Sequence, residues 1–368
     1  MLDILIFILS YFFLLFSIIG YGIFFQKISY GEFKDFDQEN SIFIGFYGLF
    51  FVTLISLLTS LLLPHNLIHN SLLHIFGILY LFITKVKNKR KFLIYISFIA
   101  VAVFAALLIS KTHDDFSYYH FPFTKYLTEN KIIFGMGNIN HGYNLLSSLF
   151  FLNSTFYLPL IGYYSFHFSI IFFLVFFNFF LLKEIFSQKN NDVIIFLYFL
   201  TFSFFNLSFN RIAEYGTDKP GQLLIVILVI KLFQILFFED ENKQILKVTF
   251  LLPLLALCIS IKTYFLPYII LGISILILRN SIFNNIKNIF YSKSFLFFIF
   301  ILLIYFSHHF ISTGCIVSPL AATCFEDQFD WARRDMIRLS IWVEQWAKSG
   351  AGPNFRAENV QDYIANFN

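Results

Sequence analysis

His113, Asp114 and Asp115 follow directly after a long apolar run, and the chain continues Phe-Ser-Tyr118-Tyr119-His120. Two adjacent carboxylates on a continuing helix point in different directions, so one faces a cavity while its neighbour caps or positions. A carboxylate placed there can act as a general base towards a sugar hydroxyl, or ligate a divalent cation. The plainer reading is a solvated interfacial turn with tyrosines at headgroup level.

Further along, Gly135-Met-Gly137-Asn138-Ile-Asn140-His141-Gly142-Tyr143 combines glycines, amides and one histidine. Glycine permits close backbone approach, and Asn138, Asn140 and His141 suit the hydroxyl groups of a carbohydrate. The segment matches no dinucleotide or phosphate-loop pattern, and an ordinary turn between interfacial helices accounts for it equally. A third polar stretch, 210–222, carries Arg211, Glu214, Asp218 and Lys219 within a few residues. Arg211 and Lys219 are candidate partners for a lipid phosphate, and Glu214 and Asp218 for acid–base or metal roles. A helix starting at Arg211 would align Glu214 with Asp218 until Pro220; mutual salt bridging at a helix junction is the bland alternative. Lys262 interrupts an apolar run, and its cost there predicts a carboxylate or phosphate partner, or snorkelling to the interface. His65, His69 and His74, and the pair His308-His309, read as interfacial rather than metal-ligating. No metal-ligand motif is found.

The elements that position these residues follow from composition. Hydrophobic residues make up 58% of the 368, charged residues only 13%, and Phe alone numbers 56. A mean hydropathy of +0.74 lies far outside the range of soluble domains. Disordered, disulfide-framework and conventional cytosolic classes are excluded, and a net charge of +4 gives no sign of nucleic acid as a partner. The Phe, Ile, Asn and Lys excess also fits an AT-rich genome. The expected fold class is all-α: a polytopic transmembrane helix bundle of about ten spans, with interfacial helices in its outer loops. The spans run near 3–25, 41–63, 68–85, 92–110, 157–182, 193–209, 222–238, 248–262, 264–278 and 294–311. Pro253, Lys262 and Pro267 divide 248–278 into two, with the turn at Lys262-Thr263-Tyr264. The first run lacks the basic start of a cleavable signal and reads as a membrane helix.

Lys85, Lys87, Lys89, Arg90 and Lys91 mark a cytoplasmic loop, as do Arg279, Lys287 and Lys293. The parity of spans between them requires 248–278 to cross twice, and places 111–156, 210–221 and the tail from Ser312 outside. Cys315 and Cys324 would then share an oxidising compartment, as a disulfide or as two free thiols, while Cys258 lies within a span. The short apolar stretch Leu145–Leu152 reads as a helix resting on the membrane. The segment from Phe329 to Lys348, with Ile337, Ile341, Trp342 and Trp346, reads as an amphipathic interfacial helix. Domain organisation is thus a transmembrane domain, 1–311, with an outer loop at 111–156, followed by an extracytoplasmic segment, 312–368. The chain stops soon after Pro353 without an evident closing element, which suggests truncation.

A multispan chain with an acidic pair opening a large outer loop resembles the GT-C superfamily, on the segment His113-Asp114-Asp115-Phe116-Ser117-Tyr118-Tyr119-His120. With Glu214-Tyr-Gly-Thr-Asp218 and Gly314-Cys315…Pro319…Cys324-Phe325, it more narrowly resembles a family of bacterial membrane proteins found among surface-polysaccharide functions. The resemblance implies a glycosyltransferase of the bacterial inner membrane using a polyprenyl-phosphate-linked sugar, with the acidic loops outside. Membrane lipids would be its surroundings and partners. Asp114 or Asp115 would deprotonate the acceptor, and His113, Tyr118 and His120 would line the substrate. The leaving lipid phosphate would need positive charge from Lys219, Arg211, Lys262 or a bound divalent cation. In GT-C enzymes the acidic loop follows the first span, whereas here it follows the fourth, which would make the first three spans an N-terminal addition. A transporter or flippase of lipid-linked sugar, or a polysaccharide polymerase or ligase of different fold, are the alternatives. A carrier should show repeats and charges near the bilayer midplane.

Overall fold

Long apolar runs leave the backbone one economical solution, the helix, which satisfies its own N–H and C=O groups. The computed structural model describes residues 2–348 except 32, 109–113, 188–190, 209–215, 240 and 273–285. Among the described residues every regular element is a helix. The main helices are α1 (Leu2–Tyr30), α2 (Ile44–Ser60), α3 (Leu67–Ile83), α4 (Lys89–Phe104), α5 (Phe121–Glu129), α6 (Ser148–Thr155) and α7 (Phe168–Ile185). There follow α8 (Asp192–Leu207), α9 (Asp218–Phe238), α10 (Glu241–Ile261), α11 (Ile286–Phe290), α12 (Lys293–Thr313) and α13 (Met336–Lys348).

Six described helical stretches are long and apolar enough to cross a membrane: Leu2–Tyr30, Ser41–Ser60, Lys89–Leu108, Tyr163–Ile185, Asp218–Phe238 and Lys293–Thr313. This is the make-up of a multi-pass membrane protein. Leu67–Ile83, Asp192–Leu207, Leu246–Ile261 and Thr263–Gly272 are apolar helices of shorter length. At two helix starts an asparagine meets the orphan backbone donors: Asn66 accepts from the Ile68 and His69 amides, and Asn191 from Val193.

The chain divides into two compact units, 1–131 with 147–305, and 132–146 with 306–368. The cut expected at 311/312 therefore falls inside α12. The glycine- and asparagine-rich stretch of the expected outer loop groups with the C-terminal segment, because its polar groups bond there. The Gly135 amide donates to Ile311 carbonyl at 2.9 Å, and Asn138 to that of Trp331 at 2.9 Å.

In the first unit α1 is clasped between α2 and α3. A Cβ on Gly20 would lie 1.9 Å from the Gly77 carbonyl oxygen, and one on Gly48 2.0 Å from that of Ile18, so backbones touch where glycine leaves room. Many of the unit's polar groups lie at its two ends. At one end, Asn88 donates to Asp35 and Asp37, Lys183 to Ser41 and the Phe36 carbonyl, and Lys293 to the Ile28 carbonyl. Lys247 there bridges Glu39, at 2.6 Å, and Glu239, at 2.5 Å. At the other end, Asn70 donates to the carbonyls of His65, Ser154 and Tyr157, and Ser148 meets Ser260 at 3.0 Å.

Two local readings are corrected here. The stretch containing Leu149–Leu152 does not rest on a membrane: α6 is buried, with Leu149, Phe150, Phe151 and Leu152 at 0–2% exposure. His65 and His74 are likewise fully buried rather than interfacial. The His74 Nε2 faces the Thr155 carbonyl, which only accepts, so that nitrogen carries the proton and Ser17 donates to Nδ1. These contacts pin α6 against α1 and α3.

The second unit is tied by the Cys315–Cys324 disulfide, S–S 2.08 Å. Met336 and Leu339 of α13 pack on Cys315, with Val343 beside them, while Glu326 accepts from the Met336 amide at the helix start. The buried stripe is thus Met336–Leu339–Val343, and Ile337 and Trp342 are exposed.

Candidate functional site

The helix of α10 ends at Ile261, and Lys262 adopts an extended backbone before a 3₁₀ turn, Thr263–Tyr268. Its half-buried ammonium has the expected carboxylate partner: Lys262 Nζ lies 2.5 Å from Asp218 Oδ1. Asp218 is the first residue of α9, where the helix dipole favours negative charge, and Pro220 occupies the first turn, where no N–H is needed. Gly221 makes the pairing possible. A Cβ there would lie 2.1 Å from the Phe265 ring, so only glycine lets the turn after Lys262 close on the start of α9.

The helix expected to run into Asp218 is interrupted among the described residues: Gly216 and Thr217 are non-helical and α9 begins at Asp218. Arg211, Glu214 and His113 lie outside the described residues.

Asp115 reaches the same place from the other loop. The chain from Phe116 to His120 forms one turn of π-helix leading into α5. That wide turn brings Tyr119 back over Asp115, and its hydroxyl donates to Asp115 Oδ2 at 3.2 Å. Burial pushes the Tyr119 phenol well above its usual value, and the charges of Asp115 and, more weakly, Asp218 push the same way. The phenol therefore stays protonated across the physiological range and acts as a donor, never as a base. Asp218 also acts on the Tyr264 phenol. Asp115 thus holds the Tyr119 hydroxyl, and Asp218, paired with Lys262, acts on the same phenol through its charge.

The neighbours divide by exposure. Asp114 and Tyr118 are exposed, Asp115, Asp218, Lys219 and Lys262 are half-buried, and His120 is buried against Phe150. His120, Thr217, Asn153 and Thr124 line a cavity of about 10 Å³, room for one water.

Asn138, Asn140 and His141 belong to the second unit, where their side chains shape the loop. The Asn140 oxygen accepts from the Gly142 amide at 2.8 Å, and the His141 ring meets Trp342 edge-on at 5.1 Å. Burial and the Arg333 charge lower the His141 pKa from 6.5, against a smaller opposing pull from Asp335.

Among the described residues no group of three or more His, Cys, Asp or Glu is placed to hold a metal ion. Asp218 already faces an ammonium, so a divalent cation does not fit this donor set.

The family model described as Domain of unknown function (DUF8201) matches residues 4–365. The chain belongs to that family. No curated protein and no solved structure matches it. The DUF8201 match runs through both units, so the Asp115–Tyr119–Asp218–Lys262 group and the disulfide-tied segment lie in one family domain.

One constellation of this DUF8201 chain went unnoticed in the sequence. Lys231, beyond the middle of α9, and Glu184, near the end of α7, form an ion pair at 2.7 Å, with side chains 5% and 8% exposed. Tyr198 of α8 donates to Gln234 beside them at 3.0 Å. A single lysine in an apolar window was the available signal.

Proposed function

We propose that this protein is a membrane glycosyltransferase of the bacterial inner membrane, moving a sugar from a lipid-phosphate donor to a glycan or lipid acceptor. The carrying observation is the hydrogen bond of Tyr119 to Asp115 together with the Lys262–Asp218 ion pair, whose carboxylate is near enough to act on the Tyr119 phenol. In this reading Asp115 takes the proton of the acceptor hydroxyl, held in place by the hydrogen bond from Tyr119. The acceptor oxygen bonds to the sugar's anomeric carbon as the carbon–oxygen bond to the lipid phosphate breaks. The electron pair leaves on the phosphate oxygen, next to Lys262 and Lys219.

The extracytoplasmic side is the reading that suits this site, with ten crossings. Lys247 joins one end of the bundle and Lys262 the other, and Lys293 bonds back at the first end. The chain between Lys262 and Lys293 must then return, which supports a further crossing there. The lysine-rich segment 85–91 shares the first end with Asp35 and Asp37, in keeping with a cytoplasmic assignment of that end.

A carrier of lipid-linked sugar is the second reading, and the Lys231–Glu184 pair within the bundle favours it. The test is reconstitution of the full chain in vesicles with a lipid-linked sugar donor. Consumption of donor that falls about a hundredfold in Asp115→Asn and Asp218→Asn supports transfer. Donor that crosses the bilayer unconsumed, with both variants as active as the parent, sinks it in favour of the carrier.

A further inference from the structure

We propose that α4 carries a binding site for one anionic phospholipid at its lysine-rich end. Arg90, Leu93, Ile94, Ser97, Phe98 and Val101 form one open face of this helix. It adjoins an open patch formed by Lys89, Arg90 and Lys91, so a basic end continues into an apolar face. From Arg90 to Val101 the helix rises about 16 Å, close to the depth of one leaflet's acyl chains.

The charges at the basic end are arranged for an anion. The Lys89 ammonium caps the end of α3, donating to the carbonyls of Leu81, Phe82 and Thr84, and is held in place by them. The acids of this end, Asp35 and Asp37, are engaged by the Asn88 amide. Lys91 leans over the Tyr95 ring. Arg90 is exposed and has no carboxylate partner among the described residues, so its planar fork is open to a phosphate diester. Below it, Ile94, Phe98 and Val101 are 57%, 76% and 61% exposed, an apolar face that an acyl chain covers. Basic residues clustered at the cytoplasmic end of a membrane helix attract anionic headgroups, and here an exposed apolar face continues below them.

The experiment places the full chain in phosphatidylcholine nanodiscs containing a minor share of phosphatidylglycerol and counts retained lipids by native mass spectrometry. One phosphatidylglycerol per chain is expected to persist. Arg90→Gln should lower its retention about fivefold, Arg90→Lys less, and Ser97→Trp should lower it comparably while leaving every charge in place. Lys85 and Lys87 stay unchanged, so the orientation signal is kept. Equal retention by the parent and all three variants overturns the site. So does full displacement by glycerol phosphate, which would mean a phosphate site without the apolar face. A Ser97→Trp chain that changes oligomeric mass but not lipid content would show a second copy on this face, and also overturns it.

Discussion

Lys262 Nζ and Asp218 Oδ1 lie 2.5 Å apart although 44 residues of chain separate them. Neither residue gains much stability from the pair, because the side chains are 34% and 49% exposed. Such pairs contribute about 0.2–1 kcal/mol. Lys262→Met is therefore expected to leave thermal unfolding nearly unchanged while lowering donor consumption about a hundredfold, with partial recovery in Lys262→Arg. A melting temperature that collapses in Lys262→Met, with recovery of both by a compensating Asp218→Leu, would assign the pair to folding alone.

Gly221 controls that pairing. Gly221→Ala drives a methyl into the Phe265 ring and should cost about 1–3 kcal/mol, with loss of activity in parallel. Gly221→Ala combined with Phe265→Leu should recover much of both. Denaturation followed by helical circular dichroism in detergent checks the stability and the vesicle assay the activity.

The buried pair behaves oppositely to the exposed one. Lys231→Met or Glu184→Gln alone strands a charge in an apolar interior and should destabilise by about 3–5 kcal/mol. Lys231→Met with Glu184→Leu should be much closer to the parent. Were the double variant to lose transport in vesicles while melting normally, the carrier reading would gain.

His141 supplies a pH dependence. Its pKa is depressed below 6.5 in the folded chain, so its neutral form contributes stability above pH 6.5 that is lost as pH falls through the folded value. Protonation places a cation against the Trp342 ring and should quench its emission. A fluorescence titration should show a step centred below pH 6.5, absent in His141→Phe. A midpoint at or above 6.5 would contradict the burial of the ring.

What was legible in the sequence was whatever insertion energetics dictate locally. The break at Lys262 follows from the cost of a lysine in an apolar run, and the structure puts an extended residue there. The helical class follows from apolar runs alone. Pairing across the chain was not legible: nothing near Lys262 identifies Asp218, and nothing near Lys231 identifies Glu184. The eight residues of α6 were misread because a short apolar helix has the same composition on a membrane surface as in a core. Only the buried partners, His65 and His74, distinguish the two. Charge spacing also gave no sign that the chain is non-helical at Gly216 and Thr217, just before α9.

Pro253 in α10 has no N–H to offer the carbonyl four residues back, that of Thr249. The Tyr30 hydroxyl of α1 donates to that oxygen at 2.9 Å, and the Tyr47 hydroxyl of α2 to the next one, Phe250, at 3.0 Å. A helix in the later part of the chain is thus completed by the opening helices, which also pack α2 against α6. The first three helices are therefore no detachable leader. A chain begun at α4 would leave the proline's vacated acceptor without the Tyr30 donor, and a split protein should regain function only when both halves are supplied together.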